Sequence, residues 1–404
     1  MANIARGIAK NVAIKKETTW GTPAGATGAR LLRRVTADFN LTKETYDSQE
    51  LNPTFQTISM RHGVRSVEGS LDAELSPGTY PMIMEAILAR DFTAGGSTTG
   101  ASLTIAASGS FYTITRAAGN WLADGFYVGN IVRLSGAGFA PANVGNNLLV
   151  VGLTALVATV VLLSATPLVA EGPIASAGMS VVGKHTYVPS TGHTDPSFTV
   201  EQWFSDISQS EVYTGLKPAS MSLDLPSTGL VGASFSFMGR DLAQTGTSQY
   251  FTSPTSITTE DVLASVSGAV IVNGQPVALV TSMSLEIARN QEKATVVGSN
   301  LNADIFVGRI TATGNMSVYM TNAAFRDYFD DEAHISVVIA LTTGEEKNAA
   351  AISIALPRVL LNSASKTDAE LGLTQSMDFQ ALQNTVTTAG LVPSTILIQD
   401  STLV

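Results

Sequence analysis

The residue types that most often carry catalysis are few and scattered in this chain. Its four histidines show no pair at the spacing of metal ligands: His62, His185, His193 and His334. Cysteine is absent, which removes thiolate nucleophiles, thiolate metal sites and disulfides. No GxSxG, GxxxxGK[ST], HExxH or GxGxxG motif occurs. We therefore predict no catalytic residue, no cofactor-binding residue and no metal ligand, and a protein that is not an enzyme.

One acidic cluster could suggest calcium. It consists of Asp327, Asp330, Asp331 and Glu332. Calcium prefers such oxygen ligands, but the glycine-kinked loop of an EF-hand is missing. Because Phe325, Tyr328 and Phe329 have helical spacing, the cluster is better explained as the solvated face and C-terminal end of a helix. Calcium binding stays the alternative.

Acidic and hydroxyl side chains recur on the polar side of three predicted strands. They are Ser70, Asp72 and Glu74, then Ser222 and Asp224, then Ser284 and Glu286. If these strands line one surface, that surface is acidic and has few large side chains. The alternative is the ordinary solvent side of a half-exposed sheet.

Two stretches with the same spacing organise the chain and must position these side chains. GVRSVEGSLDAEL runs over 63–75 and GRITATGNMSVYM over 308–320. Each has two glycines six residues apart, followed by apolar residues that alternate with polar ones. That period of two predicts a half-buried strand. Helix-like apolar spacing follows each strand, and FNLTKET or MSLEIARN precedes it, so a cassette of strand, long loop, strand and helix is used twice.

The segments after each cassette also match in order. FTVEQWF leads to SMSLDLP and SFSFMGRDL in the first case, and ISVVIAL leads to AISIALP and QSMDFQAL in the second. A matching succession predicts duplication of one fold. The alternative is that two β-rich segments merely share strand propensity.

Composition limits the class of protein. The chain has 404 residues and a formal net charge of -10, yet only 14% of its residues are charged. An acidic balance argues against a nucleic-acid-binding surface, because phosphate binding depends largely on Lys and Arg releasing counterions. The N-terminus lacks the apolar core of a signal peptide, so we expect the chain to stay in the cytoplasm where it is made.

One apolar stretch, LLVVGLTALVATVVLL from Leu148, would pass a hydropathy test for a membrane span. Its glycine, threonines and many valines also fit two buried strands joined by a tight turn. We predict the strands and no membrane span.

The predicted domain organisation follows from these boundaries. It is an N-terminal arm over 1–29, a first copy over 30–93 and 185–260, an insert of short strands over 94–184, a second copy over 261–390, and a C-terminal tail over 391–404. Each copy contains one long segment with little periodicity, Thr42 to His62 and Arg289 to Phe306. Long loops in compact domains are usually functional, so we predict that both reach outward.

The succession of these segments resembles the tail tube (major tail) proteins of long-tailed bacteriophages. The resemblance lies in VAIKKETTWGTPA, in RRVTADFNLTKETYDSQE followed by RHGVRSVEGSLDAELSPGTY, and in TVEQWFSDISQSEVYTGLKPASMSLDLPSTGLVGASFSFMGRDL. It covers the first copy almost completely and the second more loosely. The insert looks like the small β domains often spliced into phage virion proteins. The implied fold class is mainly β, with two duplicated tail-tube β-sandwich folds, each with a flanking helix, and an inserted small β-barrel domain.

The resemblance implies rings that stack into a hollow tube through which genomic DNA leaves the capsid. Most members supply one fold per subunit to a hexameric ring. Two copies per chain favour a trimer with pseudo-sixfold symmetry, with a hexamer as the alternative. The implied partners are the chain itself, other tail proteins at the tube ends, and DNA that passes without specific binding. The implied location is the virion tail, after synthesis in the host cytoplasm.

Within that implied tube, Asp72, Glu74, Asp224 and Glu286 would face the lumen and repel phosphate. The insert would lie outside. Contacts between rings would come from Lys43, Glu44, Asp47 and Glu50 of the first long loop and from Arg289, Gln291, Glu292 and Lys293 of the second.

Other functions remain as alternatives. A different virion component, such as a capsid decoration or baseplate ring protein, would share the composition. A carbohydrate-active protein would need paired carboxylates in an aromatic-lined groove, and aromatic residues make up only 7% of the chain. An outer-membrane barrel is disfavoured by the missing signal peptide.

Overall fold

The computed structural model of the chain describes residues 4–51, 53–367, 372–386 and 390–404. The first three residues of the predicted arm, one residue of the first long loop and residues 368–371 and 387–389 of the predicted second copy lie outside this range. Half of the chain is in strands and 6% is helical, which confirms the mainly β class.

The strands and helices follow one another in three groups. Before the insert come β1 (Lys10–Lys16), β2 (Arg30–Leu31), β3 (Thr36–Asp47), β4 (Met60–Glu74), α1 (Pro81–Leu88) and β5 (Thr93–Ala94). The next group is β6 (Ser97–Ser108), β7 (Phe111–Arg116), β8 (Ile131–Ser135), β9 (Leu148–Leu153), β10 (Val157–Leu162) and β11 (Glu171–Val181). It is followed by β12 (Lys184–Tyr187), β13 (Phe198–Phe204), β14 (Gln209–Pro226), β15 (Gly232–Gly239) and β16 (Asp241–Gly246).

The remainder of the chain holds the third group. It comprises β17 (Gly268–Val272), β18 (Gln275–Pro276), β19 (Val280–Ala288), β20 (Gln291–Ala294), β21 (Asp304–Val307), β22 (Thr311–Tyr319), α2 (Ala324–Asp330), β23 (Ile335–Thr342), β24 (Ala351–Leu361), β25 (Ser365–Thr367), β26 (Thr374–Ala381) and β27 (Leu397–Asp400). The two helices follow β4 and β22, as the spacing predicted.

One order of hydrogen-bonded neighbours occurs in both halves of the chain. The first half has the order β1-β13-β14-β15-β4-β3, and the second has β17-β23-β24-β26-β22-β19. All of these pairings are antiparallel. The matched cassettes of the sequence thus occupy matching places in two topologically alike units, with the insert between α1 and β13 of the first.

The strands that join the halves form what we call the long sheet. Its order is β3-β4-β15-β14-β19-β22-β26-β25, and the junction between the halves is the antiparallel pair β14–β19. A second layer, built from β1, β13 and the start of β14 in one half and from β17, β23 and β24 in the other, packs on one face of this sheet. The apolar core between the layers is continuous through both halves, since Leu71, Leu223 and Met316 belong to a single cluster.

The insert is a closed six-stranded barrel, which confirms the predicted architecture. Its strand order is β10-β7-β6-β11-β8-β9, closed by the pairing of β9 with β10. The apolar stretch from Leu148 therefore forms two antiparallel strands. Within the described residues, no helix has the length and apolar character that crossing a membrane would require.

The barrel packs on the second half although it interrupts the first in sequence. Its core includes Trp121 and Phe126 and continues into Val338, Ala340 and Ala355 on the outer side of the second layer. The side chain of Gln399 ties the two bodies together, because its Nε2 donates to the carbonyls of Ile131 and Val182 at 2.9 and 2.7 Å. The barrel thus lies on the side of the second layer opposite the long sheet.

The predicted N-terminal arm is part of the fold. Its strand β1 pairs with β13 and buries Val12 and Ile14. The buried carboxylate of Glu17 then accepts hydrogen bonds from Ser197 Oγ at 2.6 Å and Thr199 Oγ1 at 2.9 Å. The sequence indicates an arm because the apolar residues of this segment are too few to pack alone. The strand is covered on both faces, since Val12 and Ile14 belong to the main core and Ala13 belongs to a small cluster with Ala29 and Phe251.

The predicted C-terminal tail is also built in. Its strand β27 pairs with β12 on one side and β24 on the other. Ile396, Leu397 and Ile398 are fully buried. The tail had no visible partner in the sequence because its neighbours lie far away along the chain.

Candidate functional site: the polar face of the long sheet

One face of the long sheet carries nearly all of its polar residues. Directly opposed residues in neighbouring strands point to the same side, and residues two apart in one strand do so as well. One row across the sheet is Thr36, Asp72, Ser234, Ser222, Glu286, Thr313 and Gln380. The next row is Glu74, Gly232, Asp224, Ser284, Asn315 and Asp378. We call this side the polar face.

The registers bring all four sequence-predicted acidic residues onto the polar face. Asp72 and Glu286 lie in the first row, and Glu74 and Asp224 lie in the second. Glu74, Asp224 and Glu286 are exposed, and Asp72 is half-buried. The sequence predicted three separate polar strand faces, and the structure joins them through β15 and the β14–β19 junction.

The opposite face of the same strands belongs to the core. Leu71, Leu223, Leu285 and Met316 alternate with the polar residues and are buried. Two glycines let the strands approach their aromatic neighbours. A Cβ added at Gly69 would lie 2.2 Å from the Phe39 ring, and one added at Gly314 would lie 2.5 Å from the Phe379 ring. The duplicated glycines of the sequence therefore have the same packing role in both halves.

Hydroxyl and amide groups hold two aspartates of the polar face in their charged form. Asp72 accepts from Thr36 Oγ1 at 2.6 Å and from Ser234 Oγ at 2.7 Å, and these two bonds lower the pKa of its carboxyl. Asp378 accepts from Asn315 Nδ2 at 2.7 Å and from Ser363 Oγ at 2.9 Å, which lowers the pKa of Asp378 in the same way. Hydrogen bonds to a carboxylate favour ionisation.

Three acidic residues of this face were not singled out from the sequence. They are Asp38, Glu68 and Asp378, which pair with Ser70, Asn40 and Asn315. The alternation of QSMDFQAL already placed Asp378 on the polar side of its strand, but its position beside Asn315, in the row of Asp224 and Ser284, needed the sheet order. Seven acidic residues therefore share this face: Asp38, Glu68, Asp72, Glu74, Asp224, Glu286 and Asp378.

The two rows named above contain no basic residue. In the two rows above, every residue is acidic, hydroxylated, an amide or glycine. Within the described residues, two of the seven carboxylates form ion pairs, Glu68 with Lys293 at 2.8 Å and Asp38 with Lys10 at 3.7 Å. Both cations come from outside these rows. In these two rows the face is therefore an acidic, hydroxylated surface without bulky side chains.

Both ends of the first predicted long loop are strand. Lys43, Glu44 and Asp47 belong to β3, which pairs with β4 as far as Asp47 and Met60. Between these strands, the described residues 48–51 and 53–59 form a loop that includes Glu50. The two strands remain paired on both sides of a register shift after Lys43, and they extend past the rest of the sheet. This extension could not be predicted, because its residues are polar and show little periodicity.

The second predicted long loop is a hairpin that lies against the first half. Gln291, Glu292 and Lys293 are in β20, which pairs with β21. The amide of Arg65 donates to the carbonyl of Asn300 at 2.9 Å, so the hairpin is held along β4.

Arg289 does not lie on a loop tip. Its side chain is 3% exposed and lies 3.1 Å from Asp195, in a cluster where Lys217 contacts both Asp195 and Asp304. Arg289 therefore anchors the base of the second hairpin in the isolated chain, and Lys293 is engaged with Glu68.

The remaining titratable residues do not assemble into a site. The four histidines stay apart: His185 is buried beside Asn130, and His334 lies 2.8 Å from Arg358 at the surface. Asp330 of the acidic cluster pairs with Arg326. Across the described ranges, no group of three or more His, Asp or Glu side chains is placed to hold a metal ion.

Comparison with known proteins identifies one family. A family model described as phage tail tube protein matches residues 7–381, which include both halves and the barrel. None of the curated proteins compared with the chain matches it.

Proposed function

The chain belongs to the phage tail tube protein family, and on that premise we propose that it polymerises as stacked rings whose polar faces line a channel for DNA. The family makes it a structural protein of the phage tail. The observation that carries the finer proposal is the continuous polar face. The face has seven carboxylates, and the two rows described above contain no Lys or Arg.

The chemistry of that face suits the passage of a duplex. A basic side chain on the wall would bind phosphate by releasing counterions, and each such contact would hold the DNA more tightly. Carboxylates repel phosphate, and hydroxyl and amide groups keep the wall hydrated. Asp72, Glu74, Asp224 and Glu286 are the lumen-facing residues in this proposal.

Ring closure would repeat a junction already present within the chain. The pair β14–β19 joins the two halves of the chain. In the common strand order, β3 of the first half has the place that β19 has in the second. In the same way, β25 of the second half has the place of the end of β14 in the first. Both β25 and β3 are edge strands of the long sheet. Pairing β25 of one subunit with β3 of the next is a heterologous contact that repeats by rotation, which is the requirement for a closed ring.

In that pairing, Ser365 would oppose Asn40 of the next subunit, as Ser222 opposes Glu286 within the chain.

The strand count favours three subunits. Each long sheet has eight strands, so three subunits supply 24. At about 4.8 Å per strand, 24 strands give a circumference of about 115 Å and a backbone diameter of about 37 Å before tilt, and six subunits give about 73 Å. The smaller ring leaves a bore sized for one duplex, whereas the larger one is far wider than a duplex needs.

The barrel would lie outside the tube, because it covers the second layer on the side away from the polar face. The β3–β4 hairpin, with Lys43, Glu44, Asp47 and Glu50, extends past the end of the sheet and is the element proposed to reach the next ring. Other tail proteins would contact the two open ends of the tube.

Electron microscopy of the purified protein tests the proposal. We expect long hollow fibres in negative stain, and end views with six similar lobes after rotational averaging. A decoration or baseplate protein would give isolated rings or single particles. A preparation that stays monomeric at every concentration would contradict the proposal.

A further inference from the structure

The tip of the β3–β4 hairpin exposes a cluster of apolar side chains to water. Leu51 and Phe55 are completely exposed, at 101% and 98%, and Ile58 and Met60 are more than half exposed. We call these four residues the apolar tip. Four exposed apolar side chains within ten residues of one hairpin indicate an interaction site, because the burial of apolar surface is favourable.

An apolar groove opens at the opposite end of the molecule, measured along the strands of the long sheet. It lies between the end of β14 and the hairpin β17–β18, and its volume is about 390 Å³. The walls include Leu225, Val266, Val270, Val277, Met283 and Ile339. For scale, an apolar cavity of about 150 Å³ accepts a benzene ring. The groove can therefore take one aromatic side chain together with an aliphatic neighbour.

The tip and the groove point in opposite directions along the strands. From β3 to β19 there are four antiparallel steps, so these two strands run the same way. The tip follows the C-terminal end of β3, whereas the groove includes Val280 and Ser282 at the N-terminal end of β19. One copy of the chain stacked on another in the same orientation brings a tip towards a groove.

We propose that the apolar tip of one subunit inserts into the apolar groove of a subunit in the adjacent ring. The occupant is a second copy of this chain. The inference rests on the proposed stacking of rings and adds the surface that receives the hairpin. Phe55 supplies the aromatic ring, and Leu51 supplies the aliphatic contact.

Ring closure would leave this groove open. One of its walls is already formed by Leu225 and Pro226 of β14, the strand at the junction within the chain. The neighbouring subunit in the ring would pair with β3 or β25 instead. The exposed residue Val266, 83% accessible, stands at the rim where an entering hairpin would meet it.

A charge pair tests the contact. The substitutions are Phe55→Lys and Val266→Glu. Because the side chains of Phe55 and Val266 are largely exposed in the subunit, we expect each variant to keep the fold. We expect either change alone to raise the critical concentration for tubes at least tenfold, and the double variant to return it to within about threefold of wild type. Val169→Glu on the barrel, also an exposed apolar residue, is the matched control and should change nothing.

A crosslink provides the second measurement. The chain has no cysteine, so Phe55→Cys combined with Val266→Cys introduces the only two thiols. Under oxidation we expect ladders that link subunits of successive rings in assembled tubes, and no ladder in the dispersed subunits.

The outcomes separate this inference from the proposed function. Three results would each overturn the tip–groove contact while the tube itself stands: tubes that form normally in both single variants, a charge-pair double variant that does not recover, or a cysteine pair that forms no ladder in assembled tubes. A wild-type chain that never forms tubes would overturn both.

Discussion

At the scale of single residues, two glycines and one histidine show how packing fixes chemistry that the sequence alone leaves open. Gly69 and Gly314 were found as a repeated spacing, without a reason for glycine. The structure supplies the reason, since an aromatic ring occupies the volume that a Cβ would take. The spacing of the two glycines could be predicted. The aromatic side chain that requires a glycine at each position could not, because it belongs to another strand.

Gly314→Ala should destabilise the subunit by overpacking. The added Cβ would lie 2.3 Å from the carbonyl oxygen of Ser284 and 2.5 Å from the Phe379 ring. Overpacking of this kind costs about 1–3 kcal/mol. Chemical denaturation measures the change in the free energy of unfolding. Gly7→Ala is the control, because nothing lies within 4 Å of its Cβ position, and an equal effect of both changes would contradict the packing role.

The buried imidazole of His185 should make the subunit sensitive to acid. Burial, assisted by the charge of Arg90, lowers the pKa of His185 from 6.5 to about 4. Between these two values the unfolded chain binds a proton that the folded chain does not, so the free energy of unfolding falls as the pH falls. A shift of this size corresponds to about 3 kcal/mol, lost progressively between pH 6.5 and 4.

Thermal unfolding at pH 7, 5 and 4 checks this sign. His185→Gln should flatten the pH dependence in that window, whereas His334→Gln at the surface should leave it as in wild type. An unchanged slope in the His185 variant would assign the acid sensitivity to other groups.

At the scale of elements, the strands with alternating apolar residues could be predicted, and so could the helix after each cassette and the barrel. The pairings could not, because β14 meets β19 and β27 meets β12 across long sequence separations. For the same reason the sequence predicts an arm and a tail where the structure has β1 and β27. The extension of β3 past Lys43 could not be predicted either, because its residues are polar with little periodicity. The hairpin β20–β21 could not, because its strands have only four residues each.

The β3 edge of the isolated chain is occupied by side chains. The carbonyl of Ala37 accepts from Lys10 Nζ, and that of Phe39 accepts from Gln202 Nε2 at 2.9 Å. The corresponding edge of β19 pairs with β14. We infer that these side chains occupy the backbone carbonyls with which the neighbouring subunit would pair, and that ring closure displaces them.

Lys10→Met with Gln202→Leu should therefore promote assembly. Each hydrogen bond contributes about 0.5–1.5 kcal/mol net, so removal of two should lower the critical concentration by roughly 5- to 150-fold. Light scattering against concentration measures it. Lys16→Met, also in β1 but exposed, is the control, and a critical concentration equal to that of wild type would exclude the displacement.

At the scale of the whole molecule, the β14–β19 junction joins the polar strand faces of the two halves into one surface. The four acidic residues could be predicted as strand-face residues from alternation alone. Their union into one surface could not, because it depends on β15 lying between β4 and β14 and on the junction between the halves.

Placing cations on this face should slow DNA passage. Asp224→Lys with Glu286→Lys would add basic groups to every wall segment, and each phosphate contact would release counterions. We expect tubes to assemble, DNA ejection to slow, and the rate to become strongly dependent on salt between about 50 and 200 mM. The control is Glu345→Lys with Glu346→Lys, exposed residues of the β23–β24 turn with the same change in charge. Equal ejection by both variants would remove the face from the path of the DNA.

The most direct measurement is the cryo-electron microscopy density of the assembled protein. We predict three chains per ring, with Asp72, Asp224 and Glu286 pointing into an open bore and the barrels on the outside. A filament whose bore is lined by other strands, or in which these carboxylates face outward, would contradict the assignment.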